Sequence, residues 1–134
     1  MVGYSFIRSQ IPRFVYEDTF NEAPSADVSE IQSDSWSFAD EGHVYLRFHA
    51  SDQTFHRILP KQLTKASYEQ YRRQMPISNL SLPNWWIPPA ETTSEIYLLR
   101  DYGSVSGKGF ASETTLMTYD HGTSTVEYYY LGID

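Results

Sequence analysis

The stretch SETTLMTYDHGTSTVEYYYL, residues 112–131, decides the fold. Its two halves, Ser112–Tyr119 and Thr125–Leu131, are rich in threonine, valine and tyrosine, which favour β-strands. Between them lies Asp120-His121-Gly122-Thr123, and a short polar segment with glycine is typical of a hairpin turn. The stretch therefore predicts an antiparallel hairpin.

Further strands are predicted outward from this hairpin. Val28–Phe38 is strand-like, Asp40-Glu41-Gly42 is a turn, and His43–Ala50 alternates apolar and polar side chains, so these residues predict a second hairpin. Another strand is predicted over Glu95–Tyr102. The alternation divides residues 43–49 into two sets: Val44, Leu46 and Phe48 on one face, and His43, Tyr45, Arg47 and His49 on the other.

Two short helices are predicted between the second hairpin and the later strands. Ser51 can cap the first helix, because its hydroxyl can accept a hydrogen bond from a free backbone N–H, and Pro60 ends it. A second helix is predicted over 64–74. The element order β-β-α-α-β-β-β is typical of an α+β fold. We expect two layers, an antiparallel sheet of about five strands with the two short helices on one face.

The length of 134 residues corresponds to one domain. We expect residues 1–27 to form an N-terminal arm or edge strand, because Pro12 interrupts the apolar residues there, and residues 28–134 to form a single α+β domain. No basic segment followed by an apolar one opens the chain, which favours a cytoplasmic location. No apolar run approaches about 18 residues, so no membrane partner is predicted.

Composition excludes several kinds of site. The chain has no cysteine, which excludes disulfides, iron–sulfur clusters and cysteine nucleophiles. Its formal net charge of −7 argues against nucleic-acid binding, which needs a surplus of lysine and arginine. Residues 14–42 contain no lysine or arginine but many acidic residues: Glu17, Asp18, Glu22, Asp27, Glu30, Asp34, Asp40 and Glu41. We expect this segment either to be solvated or paired with the basic segment 57–73, or to face a partner protein with a basic surface.

The sheet face opposite the helices is the first candidate binding surface. Tyr45, Arg47 and His49 are expected on it, and strand register decides which later tyrosines join them: Tyr97, Tyr119 and Tyr129. A face rich in tyrosine can be partly exposed to water and partly buried, because a tyrosine side chain has an apolar ring and a polar hydroxyl group. The tyrosines either cover the sheet and bond locally, or line a pocket in which Arg47 and His49 are the specific polar groups.

The adjacent tryptophans Trp85 and Trp86 form the second candidate surface. They lie in a proline-rich loop over 76–93, and long ordered loops are often functional. Neighbouring side chains of an extended segment point to opposite sides, so one ring can anchor the loop while the other stays outside. The pair is therefore a structural lid, an anchor for a protein partner or a stacking platform for a sugar ring.

Familiar patterns for metal binding and catalysis are missing. His43 and His49 would lie about 20 Å apart on one strand face, and no third ligand stands at a recognisable spacing from His49 and His56. Turn chemistry explains the aspartate beside His121. The segment 103–109 lacks the spacing of a phosphate-binding loop, and no nucleophile elbow occurs. We therefore predict no metal and no cofactor.

These observations favour a small, acidic, non-enzymatic binding domain, such as a regulator or inhibitor of a basic partner protein. The first alternative is a small-ligand-binding or hydrolase-like domain that uses an aromatic pocket on the open sheet face, and the second is carbohydrate binding through Trp85 and Trp86. A homodimer through a sheet edge is a further hypothesis, with Thr125–Leu131 as the pairing strand.

Overall fold

The computed structural model describes residues 11–38, 41–74, 82–102 and 112–133. The expectations for residues 1–10, 76–81 and 103–109, and the part of the predicted 40–42 turn that falls on Asp40, lie outside these ranges. The described elements are, in chain order, α1 (Pro12–Phe20), β1 (Ser29–Phe38), β2 (Glu41–His49), α2 (Asp52–Ile58), β3 (Thr64–Ala66), α3 (Tyr68–Gln74), β4 (Ser94–Tyr102), β5 (Ser112–Asp120) and β6 (Thr125–Ile133). None of these helices has the length and apolar character needed to cross a membrane.

The six described strands form one antiparallel sheet in the order β1-β2-β6-β5-β4-β3. The predicted α+β fold with an antiparallel sheet is confirmed, with six strands rather than five. Both predicted hairpins are present, because β1 pairs with β2 and β5 pairs with β6. In the centre of the sheet Tyr129 lies directly between Tyr45 and Leu116.

The position of β6 corrects the expectation about the sheet edge. β6 is hydrogen-bonded to β2 on one side and β5 on the other, so Thr125–Leu131 is a central strand and has no free edge. Apolar and aromatic side chains on both faces favour such a central place, because both faces of the strand become buried. The edge strands of the described sheet are β1 and β3. A homodimer through a sheet edge stays a prediction, now for those two strands.

The first face of the sheet, which packs against α1 and α2, holds the larger core. Even-numbered residues of β2 and β6 and odd-numbered residues of β5 point to this face, as a period of two requires. They pack against one side of each helix. The fully buried members with less than 2% exposure are Tyr16, Leu46, Phe48, Phe55, Met117 and Val126.

The helix α1 occupies part of the segment for which we expected an arm or edge strand. Pro12 is the first helical residue, where the missing N–H costs nothing and the fixed φ suits a helix. Asn21 ends α1 in the left-handed conformation at φ 60°. Val15 and Tyr16 are buried in the first core, so α1 packs with the rest of the domain. Proline therefore begins a helix here rather than interrupting a strand.

The second face of the sheet, which packs against α3 and the segment 82–90, is also covered. Its core contains Tyr71 of α3, Trp86 of the segment and residues of four strands: Tyr45, Ile96, Leu98, Leu116 and Tyr129. The described helices thus lie on both faces, rather than on one face as expected. The short strand β3 pairs with β4 at the sheet edge, and there the chain passes from α2 on the first face to α3 on the second.

A capping box explains why α3 begins later than the predicted 64–74 helix. The hydroxyl of Ser67 accepts a hydrogen bond from the backbone N–H of Gln70 at 3.1 Å. The Gln70 side chain in turn accepts one from the Ser67 N–H at 2.8 Å. This reciprocal pair starts a helix directly after Ser67, which leaves Thr64–Ala66 free to pair with β4.

The predicted cap of α2 is present and allows a first test. The Ser51 hydroxyl accepts a hydrogen bond from the Thr54 N–H at 3.2 Å. We expect Ser51→Ala to lower the free energy of unfolding by about 1 kcal/mol, because one N–H at the start of α2 loses its partner. Urea denaturation measures the loss, and Ser51→Asp, which can still cap, is the matched control. Equal stability of Ser51→Ala and the parent chain would contradict this role.

Candidate functional site

A cavity of about 120 Å³ opens on the second face of the sheet. Its polar floor comes from neighbouring strands, since Glu127 of β6 lies between Arg47 of β2 and Thr118 of β5 in register. One wall is apolar and consists of Ile87, Pro88 and Pro89. Further polar side chains complete the lining: Ser94, Asp120, Thr123 and Thr125.

Glu127 is the most unusual group of this cavity, because it is a carboxyl group with only 4% exposure. Its Oε2 accepts a hydrogen bond from the Ile87 N–H at 3.1 Å and lies 3.8 Å from Nε of Arg47. Burial raises the pKa of Glu127 to about 7, although the Ile87 N–H and the Arg47 charge act in the opposite direction. Glu127 therefore titrates near neutral pH.

Asp120 supplies the second carboxylate of the cavity and stays ionised. Burial alone would raise the pKa of Asp120, but hydrogen bonds from the Thr93 hydroxyl and the Gly122 N–H, both at 2.8 Å, hold it below its ordinary value. Arg47 is the one guanidinium among the described residues that line the cavity. Its Nη1 already donates to the Gln32 side chain at 3.3 Å. Carboxylate groups thus outnumber cationic groups in this lining.

The structure buries most of the predicted aromatic face. Tyr45 and Tyr129 have 3% and 1% exposure, and their ring centroids lie 4.9 Å apart. Trp86 covers Tyr45 at 5.4 Å and has 7% exposure, while Trp85 is half-buried beside it. The sequence anticipated one anchoring tryptophan, and Trp86 has that position. A stacking platform for sugars would need exposed rings, which Trp86 does not offer.

The remaining predicted site residues do not come together. Arg47 lines the cavity, but His49 pairs with Glu30 at 2.8 Å on the edge strand. Tyr119 lies in the first core and donates its hydroxyl proton to the Ala50 carbonyl at 2.9 Å. Tyr97 also faces the first side of the sheet. The side chains that we expected on one open face of the sheet are therefore divided between its two faces.

A group of side chains that sequence reasoning missed lies on the first face. His56 of α2 and His121 of the β5–β6 turn both contact the carboxylate of Glu95 at the start of β4. Asp52 of α2 lies next to both rings, with its Oδ1 3.3 Å from Nδ1 of His56 and 3.9 Å from Nδ1 of His121. We call these four residues, Asp52, His56, Glu95 and His121, the histidine–carboxylate cluster.

Hydrogen bonds in this cluster shift the pKa values of two members. Burial alone would lower the pKa of His56, but its bond to the Asp52 carbonyl and the adjacent Glu95 carboxylate raise it above its ordinary value. Burial alone would raise the pKa of Glu95, but hydrogen bonds from Tyr97, His121 and His56 hold it below its ordinary value. Glu95 is therefore ionised at neutral pH.

The spacing of these residues in the sequence indicates this cluster only weakly. Asp52 and His56 are four residues apart, which places them on one side of a helix. Glu95 and His121 are separated from them by whole strands and meet them only through the sheet register and the packing of α2. A potential ligand atom from each of Asp52, Glu95 and His121 lies within 4.8 Å of the other two.

Comparisons of this chain with protein-family models, with curated proteins and with solved structures found no match. The class that the described residues define is an α+β domain whose antiparallel sheet is packed on both faces. Polar groups converge at the cavity on its second face and at the histidine–carboxylate cluster on its first.

Proposed function

We propose that the chain is a small, non-enzymatic binding domain whose cavity accepts an alkylammonium group, such as a lysine side chain of a basic partner protein. The observation that carries this proposal is the pair of carboxyl groups, Glu127 and Asp120, which share the cavity with a single guanidinium among the described lining residues, that of Arg47, 3.8 Å from Glu127.

Electrostatics supports a cationic ligand. Arg47 compensates one carboxylate at most, so the cavity lining is negative once Glu127 ionises. An ammonium group beside Glu127 would favour its ionised form, because an opposite charge lowers the pKa of a carboxyl group. The net charge of −7 also attracts cationic groups toward the domain as a whole.

Size and shape support a single alkyl chain rather than a larger ligand. Drug-sized ligands occupy pockets of roughly 300–1,000 Å³, whereas this cavity measures about 120 Å³. The wall of Ile87, Pro88 and Pro89 offers apolar contact to methylene groups. Prolines also hold the wall in place before binding, which reduces the entropy cost of association.

Butylammonium and butyrate test this proposal, because they share a chain length and differ in charge. We expect butylammonium to shift the amide NMR signals of Ile87, Thr118 and Glu127 saturably, with a Kd on the order of 1 mM. We expect no saturable shift with butyrate. Glu127→Gln should weaken butylammonium binding about tenfold or more, because a charge-assisted hydrogen bond is lost.

Glu30→Gln is the matched control, since it removes an exposed carboxylate outside the cavity. It should leave butylammonium binding unchanged. Binding of butyrate instead of butylammonium would contradict the proposal and indicate an anion site at Arg47. Equal weakening by Glu30→Gln and Glu127→Gln would show that only the overall charge attracts the amine.

A further inference from the structure

We propose that the histidine–carboxylate cluster on the first face binds a divalent transition-metal ion of the Zn²⁺, Co²⁺ and Ni²⁺ class. The cluster lies on the opposite face of the sheet from the cavity and shares no residue with it. The proposal is therefore independent of the proposed alkylammonium binding.

The positions of the donor atoms suit a metal ion. Ligand atoms bound about 2.0–2.1 Å from zinc lie roughly 3–4 Å from one another. In the cluster, Nε2 of His56 is 3.2 Å from Glu95 Oε1, and Nδ1 of His121 is 3.9 Å from Asp52 Oδ1. The donor atoms of Asp52, Glu95 and His121 all lie within 4.8 Å of one another. Small side-chain adjustments would therefore bring them around one ion.

The hydrogen bonds within the cluster determine which ring nitrogens can bind an ion. Nδ1 of His56 lies 2.9 Å from the Asp52 backbone carbonyl, which can only accept, so Nδ1 carries the proton. Nε2 of His56 lies 3.2 Å from Glu95 Oε1, and a metal ion would replace the proton that this nitrogen donates to the carboxylate. When His121 donates from Nε2 to Glu95, its Nδ1 directs a lone pair toward Asp52. A metal ion between Nδ1 of His121 and Oδ1 of Asp52 would join these two facing acceptors.

The surroundings of the cluster hold the donors in place and leave them accessible. The Tyr97 hydroxyl donates to Glu95 Oε1 at 2.8 Å, and the Asp52 carbonyl fixes the ring of His56. Such outer contacts orient metal ligands in proteins. The side chains of His56 and His121 have 42% and 48% exposure, so an ion can enter from solvent. Among the ion pairs of the described residues, Asp52 and Glu95 pair with histidines rather than with lysine or arginine.

The mixture of donors indicates the class of metal. Imidazole nitrogens suit zinc, cobalt, nickel and copper, whereas Mg²⁺ and Ca²⁺ prefer an all-oxygen shell. The His121 imidazole beside the carboxylates of Asp52 and Glu95, with the His56 ring adjacent, therefore favours Zn²⁺ over Mg²⁺. Part of the coordination shell stays open to solvent because the cluster lies at the surface.

Calorimetric titration of ZnCl₂ into the full chain, carrying no polyhistidine tag, tests the site. We expect saturable binding with a stoichiometry of one, and no effect of a tenfold excess of Mg²⁺. His121→Gln and Glu95→Gln should each weaken Zn²⁺ binding more than tenfold. Tyr97→Phe should weaken it about tenfold, because it releases one Glu95 oxygen. Thermal denaturation with Zn²⁺ should show a higher Tm, since the ion binds the folded state.

The chain supplies its own matched controls, because two of its four histidines lie outside the cluster. His43→Gln and His49→Gln each remove one imidazole and should leave Zn²⁺ binding unchanged. Glu127→Gln should also leave it unchanged, which separates this site from the cavity. Failure to saturate, or equal weakening by His49→Gln and His121→Gln, would overturn the proposal. Circular dichroism of each variant confirms that it is folded.

Discussion

Replacement of Tyr16 by alanine is expected to lower the free energy of unfolding by about 4 kcal/mol. Tyr16 is completely buried, and its ring lies 4.9 Å from Phe20 and 5.1 Å from Phe48 between centroids. Alanine would leave a large void between α1 and the first face of the sheet, because neighbouring strands can collapse only partly into it. Equilibrium denaturation in urea measures the loss.

Tyr16→Phe is the matched control for this prediction. The Tyr16 hydroxyl is buried and finds no hydrogen-bond partner among the described residues. Removing it should leave the free energy of unfolding unchanged or raise it by up to about 1 kcal/mol, because an unsatisfied polar group is removed from the core. If Tyr16→Ala were as stable as Tyr16→Phe, the packing of α1 against the sheet would contribute nothing to stability.

The free energy of unfolding is expected to fall by about 3 kcal/mol as the pH rises through the titration of Glu127. Burial raises the pKa of Glu127 from 4.5 to about 7. Between these two values the folded chain holds a proton that the unfolded chain has released, so stability falls with rising pH. The contribution is fully present below pH 4.5 and is lost as the pH passes through about 7.

Glu127→Gln isolates this effect from all other titrations. Its side-chain carbonyl can still accept the Ile87 N–H, but it carries no titratable group. The difference in unfolding free energy between the parent chain and Glu127→Gln, measured from pH 4 to pH 9, should therefore follow the Glu127 titration. Glu30→Gln, at an exposed position, should not remove this pH dependence. A difference that is constant with pH would contradict a raised Glu127 pKa.

The cavity and the histidine–carboxylate cluster lie at the same end of the sheet. Ser94 lines the cavity and Glu95, the next residue, belongs to the cluster. Asp120 and His121 show the same arrangement at the end of β5. Successive residues of a strand point to opposite faces, so at each of these two strand ends one residue lines the cavity and the next belongs to the cluster. The two proposed functions therefore share backbone segments but no side chain.

Local patterns predicted the parts of the fold that depend on neighbouring residues. The alternation in residues 43–49 and the threonine- and tyrosine-rich hairpin predicted strands that the structure contains. The serine cap of α2 was predicted because capping involves residues only three positions apart. The strand Thr64–Ala66 was not, since a three-residue strand has too short a pattern to be distinguished from the start of a helix.

Of the site residues too, local patterns predicted some and missed others. Arg47 was singled out from strand alternation and does line the cavity, but Glu127 was not, although it lies directly opposite in the sheet. Its burial comes from the segment around Ile87, forty residues away along the chain. No local pattern reveals that a glutamate in a strand will be covered.

By itself the sequence determined which residue types are available for chemistry, the strands with clear alternation, the Ser51 cap and the α+β class. Only the tertiary structure decided that β6 is central, that both sheet faces are covered, and that His56, Glu95 and His121 meet. The physical reason is the range of the interactions. Alternation and capping act between residues a few positions apart, whereas strand order, burial and side-chain clusters depend on contacts between distant segments.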